Sequence, residues 1–168
     1  MATQLPDGVQ LLRTLTGHGG TIGRIGWSPD GRLLATPSAD GTIRIWDAAS
    51  GECVRVIRGR HVDVFAAAFD PDGRILATGG DDGTELWDVE SWELRTTLES
   101  GVCNAVAFSP RDRILATAKD SPEVTLWESS TSAIVGWFSG HDGPVFDIAF
   151  DAEGGTLATA GGDHTQSC

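Results

Sequence analysis

One phrase is written four times along the chain: "WSPDGRLLAT" (27–36), "FDPDGRILAT" (69–78), "FSPRDRILAT" (108–117) and "FDAEGGTLAT" (150–159). The threonines that close it, Thr36, Thr78, Thr117 and Thr159, stand 42, 39 and 42 residues apart, and Trp46, Trp87 and Trp127 recur at 41 and 40. A fixed period of this length means that each unit is one small element that cannot bury its own apolar face and must stack on its neighbours.

Each unit reads as short strands between turn signals. "TIGRIGW", "VFAAAF", "VCNAVAF" and "VFDIAF" are apolar enough to be buried on both faces. In the stretch that follows, Pro presets φ and Gly takes the positive φ of a tight turn. "LLAT", "ILAT" or "TLAT" is a second strand. "ADGT" or "DDGT" is another turn, and "TIRIWD", "ELWD" and "VTLWE" are third strands. "CVRVI", "LRTTL" and "IVGWF" are fourth strands, with a further one, "LLRTL", near the N-terminus. Helical periodicity appears nowhere. Four strands in about 40–45 residues signal a propeller blade. The expected fold is all-β, a β-propeller of about four four-stranded antiparallel blades. The units run about 9–52, 53–93, 94–133 and 134–168, after a disordered stretch over 1–8.

With Gly17-His18 and Gly140-His141 opening two units, and Trp46-Asp47 and Trp87-Asp88 closing two, the sequence resembles the WD-repeat β-propeller family over about residues 10–168. The resemblance implies that a buried His, Ser/Thr, Asp and Trp hydrogen-bond in sequence to pin each blade. In unit one it assigns His18, Thr36, Asp40 and Trp46 to that structural network. Such a chain is costly to bury unless every member is satisfied, and when satisfied it fixes one geometry. Unit two carries Thr78, Asp82 and Trp87, but Arg60 stands at the histidine position with His61 beside it. Asp82 to Trp87 is also one residue shorter than Asp40 to Trp46, a slip that a turn or a bulge must absorb. Unit three has Thr117 and Trp127, with Ser121 in place of Asp and no histidine. Unit four has His141, Thr159 and Asp163, and its tryptophan would fall at 169. Blade one is expected to be pinned best and blade three worst.

The resemblance points to rings of about seven blades, within an architectural range of ~4–8. Four units imply a ring left incomplete or closed only by association, with open blade edges that invite self-association. The expected readings are a fragment or C-terminal module of a larger protein, then a dimer, then a strained four-blade ring.

The charge narrows the partners. With 24 acidic against 12 basic residues the net charge is −12, which disfavours nucleic acid and anionic membranes. Arginine makes up all the basic residues except Lys119, and tyrosine is absent, a bias read as bacterial. No signal peptide or membrane span is visible. Cys53, Cys103 and Cys168 form no pair and are read as buried thiols in a reducing cytoplasm.

No catalytic constellation, cofactor motif or metal set is expected. The His, Asp and Thr groupings recur with the repeat, as scaffold does. "DPDG" (70–73) lacks the further oxygen ligands of a calcium loop. "GGDDGT" (79–84) has no Lys and two acids that repel phosphate. Trp27, Phe69, Phe108 and Phe150 share one repeat position and are expected to pack between blades, while Trp92 lies outside the pattern, where exposure is open to it. Polar residues on the inner strands are Arg24, Asn104 and Asp147, a thin basis for a channel enzyme.

The resemblance places partner binding at the residues flanking the first inward position of strand one. These are Thr21 and Gly23, Asp63 and Phe65, Val102 and Asn104, and Pro144 and Phe146, joined by Asp81 and Lys119 from other loops. Phe65 and Phe146 are expected on one face, where acids around them suit a basic protein or peptide with apolar anchors. The expected function is a cytoplasmic, non-catalytic protein-interaction scaffold, the tail of a bacterial signalling protein. The alternatives are a remnant without independent role and an enzyme using the central channel.

Overall fold

The computed structural model describes residues 10–98 and 101–163 together with the backbone of 166–167. The expectation for residues 1–8 therefore lies outside it, as does Cys168. The strands form four antiparallel sheets in sequence order. Blade one holds β1 (Gly26–Trp27), β2 (Leu33–Pro37), β3 (Ile43–Asp47) and β4 (Cys53–Ile57). Blade two holds β5 (Val64–Phe69), β6 (Ile75–Gly80), β7 (Gly83–Asp88) and β8 (Leu94–Leu98). Blade three holds β9 (Cys103–Phe108), β10 (Ile114–Lys119), β11 (Glu123–Glu128) and β12 (Ala133–Ser139). Blade four holds β13 (Val145–Phe150), β14 (Leu157–Gly161) and β15 (Gln166–Ser167). This is an all-β propeller arc, and its ring is not closed.

Turn chemistry explains the strand ends. Gly31, Gly73 and Gly154 sit at φ +70, +68 and +71, and each donates its N–H back to the residue three earlier. Asp70 Oδ1 accepts the N–H groups of Arg74 at 2.7 Å and Ile75 at 2.8 Å, so it is committed to its own turn. The acid after each tryptophan closes the next turn. Asp47, Asp88 and Glu128 accept the N–H of Ser50, Ser91 and Thr131 at 2.7–2.8 Å. The Ser91 N–H and then the Arg95 guanidinium hold Asp88 down at about 2. Five residues beyond each tryptophan the chain enters positive φ, at Gly51, Trp92 and Ser132. Trp92 is thus a bulky residue at a left-handed position. It is part-buried against the core between blades one and two.

A β-bulge recurs just before Trp46, Trp87 and Trp127 and adds local twist. The residue missing from unit two is absorbed in the turn. Gly80 pairs with Gly83, leaving Asp81 and Asp82 at the tip, and β6 and β7 stay in unbroken register.

The core lies between blades. Blade one offers Ala35, Ile43 and Ile45 to Phe69, Leu76 and Trp87 of blade two. Blade two offers Ala66, Ala77 and Leu86 to Val106, Leu115 and Trp127 of blade three. Blade three offers Ala105, Ala116 and Val124 to Val145 and Ile148 of blade four. Each interface sets one blade's face against the next, and in the first two the tryptophan comes from the later blade. The seam between blades one and two also has backbone bonds. Arg24 N–H donates to the Phe65 carbonyl at 2.8 Å and Ala67 N–H to the Arg24 carbonyl at 3.0 Å. A side chain at Gly23 or Gly26 would collide with the carbonyls of Phe65 and Ala67.

Two expectations are corrected. Trp27 is 55% exposed, because no blade among the described residues covers the outer face of blade one, whereas its counterpart Phe69 is 8% exposed. Cys53 is only part-buried. Cys103 is buried, and burial raises its thiol to about 11.

Candidate functional site

In blade one the loop before β1 brings His18 under the turn between β2 and β3. His18 Nδ1 lies 3.0 Å from Asp40 Oδ2, and its Nε2 lies 2.8 Å from Thr36 Oγ1. Trp46 Nε1–H donates to Thr36 Oγ1 at 2.8 Å. Every donor has an acceptor if the His18 proton is on Nδ1: Trp46 donates to Thr36, Thr36 to His18, and His18 to Asp40. Asp40 also accepts the N–H groups of Gly19 and Thr42 at 2.8 and 2.9 Å. Burial pushes its carboxyl up. The hydrogen bonds from Thr42, Gly19 and His18 outweigh that and hold it well below the usual carboxylate range. Blade four repeats the pattern, with His141 Nδ1 3.0 Å from Asp163 and Nε2 2.8 Å from Thr159. Blade three keeps the bond from Trp127 to Thr117 at 2.9 Å.

Asp40→Ala is expected to cost about 1–3 kcal/mol, the range for orphaning a buried partner. A folded-state carboxyl held low contributes stability above its unfolded value near 3.8, and loses it as pH falls through the folded value. The gap in denaturant midpoint between parent and variant should therefore shrink from neutral pH to about pH 3. An equal gap at both would show that the carboxylate does not hold the network.

Blade two is built differently. Trp87 donates to Thr78 at 3.0 Å. The histidine that enters the blade is His61, not the Arg60 position. Its Nδ1 accepts the Asp82 N–H at 3.3 Å, which leaves Nε2 facing Glu85 Oε2 at 3.5 Å. Both groups are buried, in ion-pair range but without a hydrogen bond between them. Glu85 Oε1 accepts the Arg60 N–H at 2.9 Å. A side chain at Gly59 would strike the Glu85 carboxylate and force it to shift. Asp82 is corrected as a network residue: its carboxylate is exposed and pairs with Arg60 at 2.9 Å. The sequence reading missed Glu85. Its signal was a carboxylate in a third strand, two residues before the tryptophan, where units one and three have Arg44 and Thr125.

The partner-binding candidates separate into two groups. Thr21, Phe65, Asn104 and Phe146 come from four different blades. They line one depression of about 330 Å³ at the mouth of the channel, together with Gly23 and Arg24. Phe146 is 46% exposed there. Arg24 spans the arc, donating to Asp147 Oδ1 at 3.0 Å and to the Asn104 carbonyl at 3.2 Å. Asn104 in turn donates to the Val145 carbonyl at 3.1 Å. Asp63, Asp81 and Lys119 are not part of this lining. Asp81 accepts the N–H groups of Val62 and Asp63 and so ties down its loop. Lys119 pairs with Glu123 at 3.1 Å. No group of three His, Cys, Asp or Glu among the described residues is placed to hold a metal ion.

The model of the WD domain, G-beta repeat, matches residues 9–47, 51–88 and 132–165. The chain belongs to the WD-repeat family. The stretch passed over contains most of unit three, the repeat without its histidine and aspartate. Among curated relatives, pre-mRNA-processing factor 19 of Oryza sativa is 31% identical over 92% of this chain. Pre-mRNA-processing factor 19 homolog 2 of Arabidopsis thaliana is 32% identical over 94%. Periodic tryptophan protein 2 of Saccharomyces cerevisiae is 35% identical over 89%. The chain spans 31%, 31% and 17% of those proteins' own lengths. The cytoplasmic expectation is corrected by these WD-repeat relatives, since pre-mRNA, on which the first two are named as acting, is processed in the nucleus. All three are eukaryotic, and they lend the bacterial expectation no support. A WD-repeat scaffold engaging protein partners is the coarse function that the family supports.

Proposed function

We infer that the chain is a non-catalytic docking module that receives a protein or peptide at the channel mouth. The carrying observation is the convergence of Thr21, Phe65, Asn104 and Phe146 on one depression. Two phenylalanines flank a volume that suits one bulky apolar side chain, and desolvated apolar anchors of this kind carry most of the energy of an interface. The net charge of −12 favours Lys or Arg beside that anchor. Arg24, Asn104 and Asp147 are bonded to one another and to backbone, which supports a wall of the site over a reacting centre. The module acts within a larger protein. By resemblance to the pre-mRNA-processing factors, its setting is RNA-processing machinery, where its acidity assigns it to a protein partner and not to RNA.

A displayed peptide library panned on the chain tests this. Enriched peptides should carry an aromatic or large aliphatic residue next to Lys or Arg. Truncating both Phe65 and Phe146 to Ala should weaken those peptides by tenfold or more, at a cost of over ~1 kcal/mol for each anchor. The melting transition should stay where it is. Peptides that bind the double variant as well as the parent would defeat the assignment, and so would a variant that no longer folds.

A further inference from the structure

The outer strands of the first three blades, β4, β8 and β12, each stand last in their sheet, so one main-chain edge of each pairs with no described strand. Two of the three carry a charge. β4 holds Arg55 and β8 holds Arg95, and a charge on an edge strand keeps other chains from pairing with it. β12, "AIVGWFS", holds neither charge nor proline and, at seven residues, is the longest strand described. The bulge before the tryptophan is common to all three strands and distinguishes none. Along β12, Ile134, Val135 and Trp137 are 59%, 54% and 66% exposed.

This apolar surface lies inside the arc of blades. Ile134 stands opposite Trp127, and Trp137 opposite Thr125. Both therefore share the face on which Trp127 joins the core with blade two. They are exposed with blade two in place. In β8 the residue opposite Glu85, at the position of Trp137, is Thr97. Between Val135 and Trp137 stands Gly136. A Cβ there would meet only Leu126 Cδ1, at 3.9 Å, so packing does not require glycine. What glycine leaves is bare main chain at the middle of the strand, where another backbone can approach closely.

We propose that the outer edge of β12 is a second docking surface, separate from the channel mouth, which takes an extended segment of a partner protein as a fifth strand of blade three. That segment is rich in β-branched residues and flanked by Lys or Arg. Residues 120–163 hold eight Asp and Glu and no Lys or Arg, and Glu123 and Glu128 stand opposite the two ends of β12. The basic residue just before this stretch, Lys119, is already paired with Glu123. A second copy of the chain would bring the same acids and a net charge of −12 to the contact, so charge favours a basic partner over self-pairing. In such an addition main-chain bonds supply affinity and alternate side chains supply choice.

The test is a displayed library of short peptides, selected on the full chain and counter-selected on the double variant Val135→Lys, Trp137→Lys. The peptides that remain should alternate apolar and polar residues between Lys or Arg. Trp137→Thr, which copies Thr97 of β8, should weaken them by about tenfold or more, as loss of a central anchor does, with the melting transition unchanged. They should bind the Phe65→Ala, Phe146→Ala variant as tightly as the parent, so this surface stands or falls apart from the mouth. N-methylation of their backbone amides should abolish binding at every second position and spare the others, as a strand ladder requires. Failure to recover any peptide that separates the parent from the lysine variant would overturn the proposal. So would peptides indifferent to Trp137→Thr, or N-methylation tolerated throughout. A parent dimer that the lysine variant makes monomeric would overturn it as well, and give the edge to a second copy.

Discussion

His61→Leu should destabilise the protein by about 1–3 kcal/mol, the range for leaving a buried polar group without its partner. The carboxylate of Glu85 is fully buried, and His61 Nε2 faces it at 3.5 Å. Leucine in its place leaves the buried carboxyl group against hydrocarbon. Glu85→Leu should be comparably harmful, because it strands both the imidazole and the Arg60 N–H. The double replacement should recover part of the loss, since two apolar side chains need no partner while the Arg60 and Asp82 N–H groups stay without their acceptors. Chemical denaturation of the four proteins gives the coupling directly. If the single changes are mild, or their effects simply add, the pair does not hold blade two.

Trp87→Ala should cost about 3–5 kcal/mol as a large cavity opens in the core. The side chain is 4% exposed, packs in the cluster shared by blades one and two, and donates to Thr78. Trp87→Phe keeps most of the volume and loses the donor, so it should cost about 1 kcal/mol. Trp46→Ala should cost less than Trp87→Ala, because Trp46 faces the side of blade one that residues 10–15 only partly cover. Melting of the three variants gives the order, and Trp46→Ala as the worst of them would mean that the outer face of blade one is packed as tightly as the inner ones.

Strands and turns were legible because the chain states them four times. A turn such as Asp70-Pro71-Asp72-Gly73 carries its own chemistry in its residue types. Residues of the His18 pattern could be picked out for the same reason, since His141, Thr159 and Asp163 repeat their spacing. Glu85 could not, because a lone acid in a strand reads as solvated until the neighbouring backbone shows it enclosed. Trp27 misled for a different reason. Its repeat position specifies a buried aromatic, but burial depends on whether another blade stands beside it, which a residue type does not encode. The channel mouth is intermediate. Phe65 and Asn104 were found by position, whereas the bridge from Arg24 to Asp147 joins residues 123 apart and needs the curvature of the arc.

The backbone bonds through Arg24 give the arc a mechanical polarity. Parting blade one from blade two must break the bond from Val64 N–H to the Ser38 carbonyl, two further main-chain hydrogen bonds that Gly23 and Gly26 make room for, and a side-chain core. Blades three and four share the smaller core and are tied by the Asn104 amide and the bond from Val145 N–H to the Ser121 carbonyl. Blade four is held in addition across the arc to blade one, by the Arg24 guanidinium on Asp147, so one side chain of the first blade braces the last.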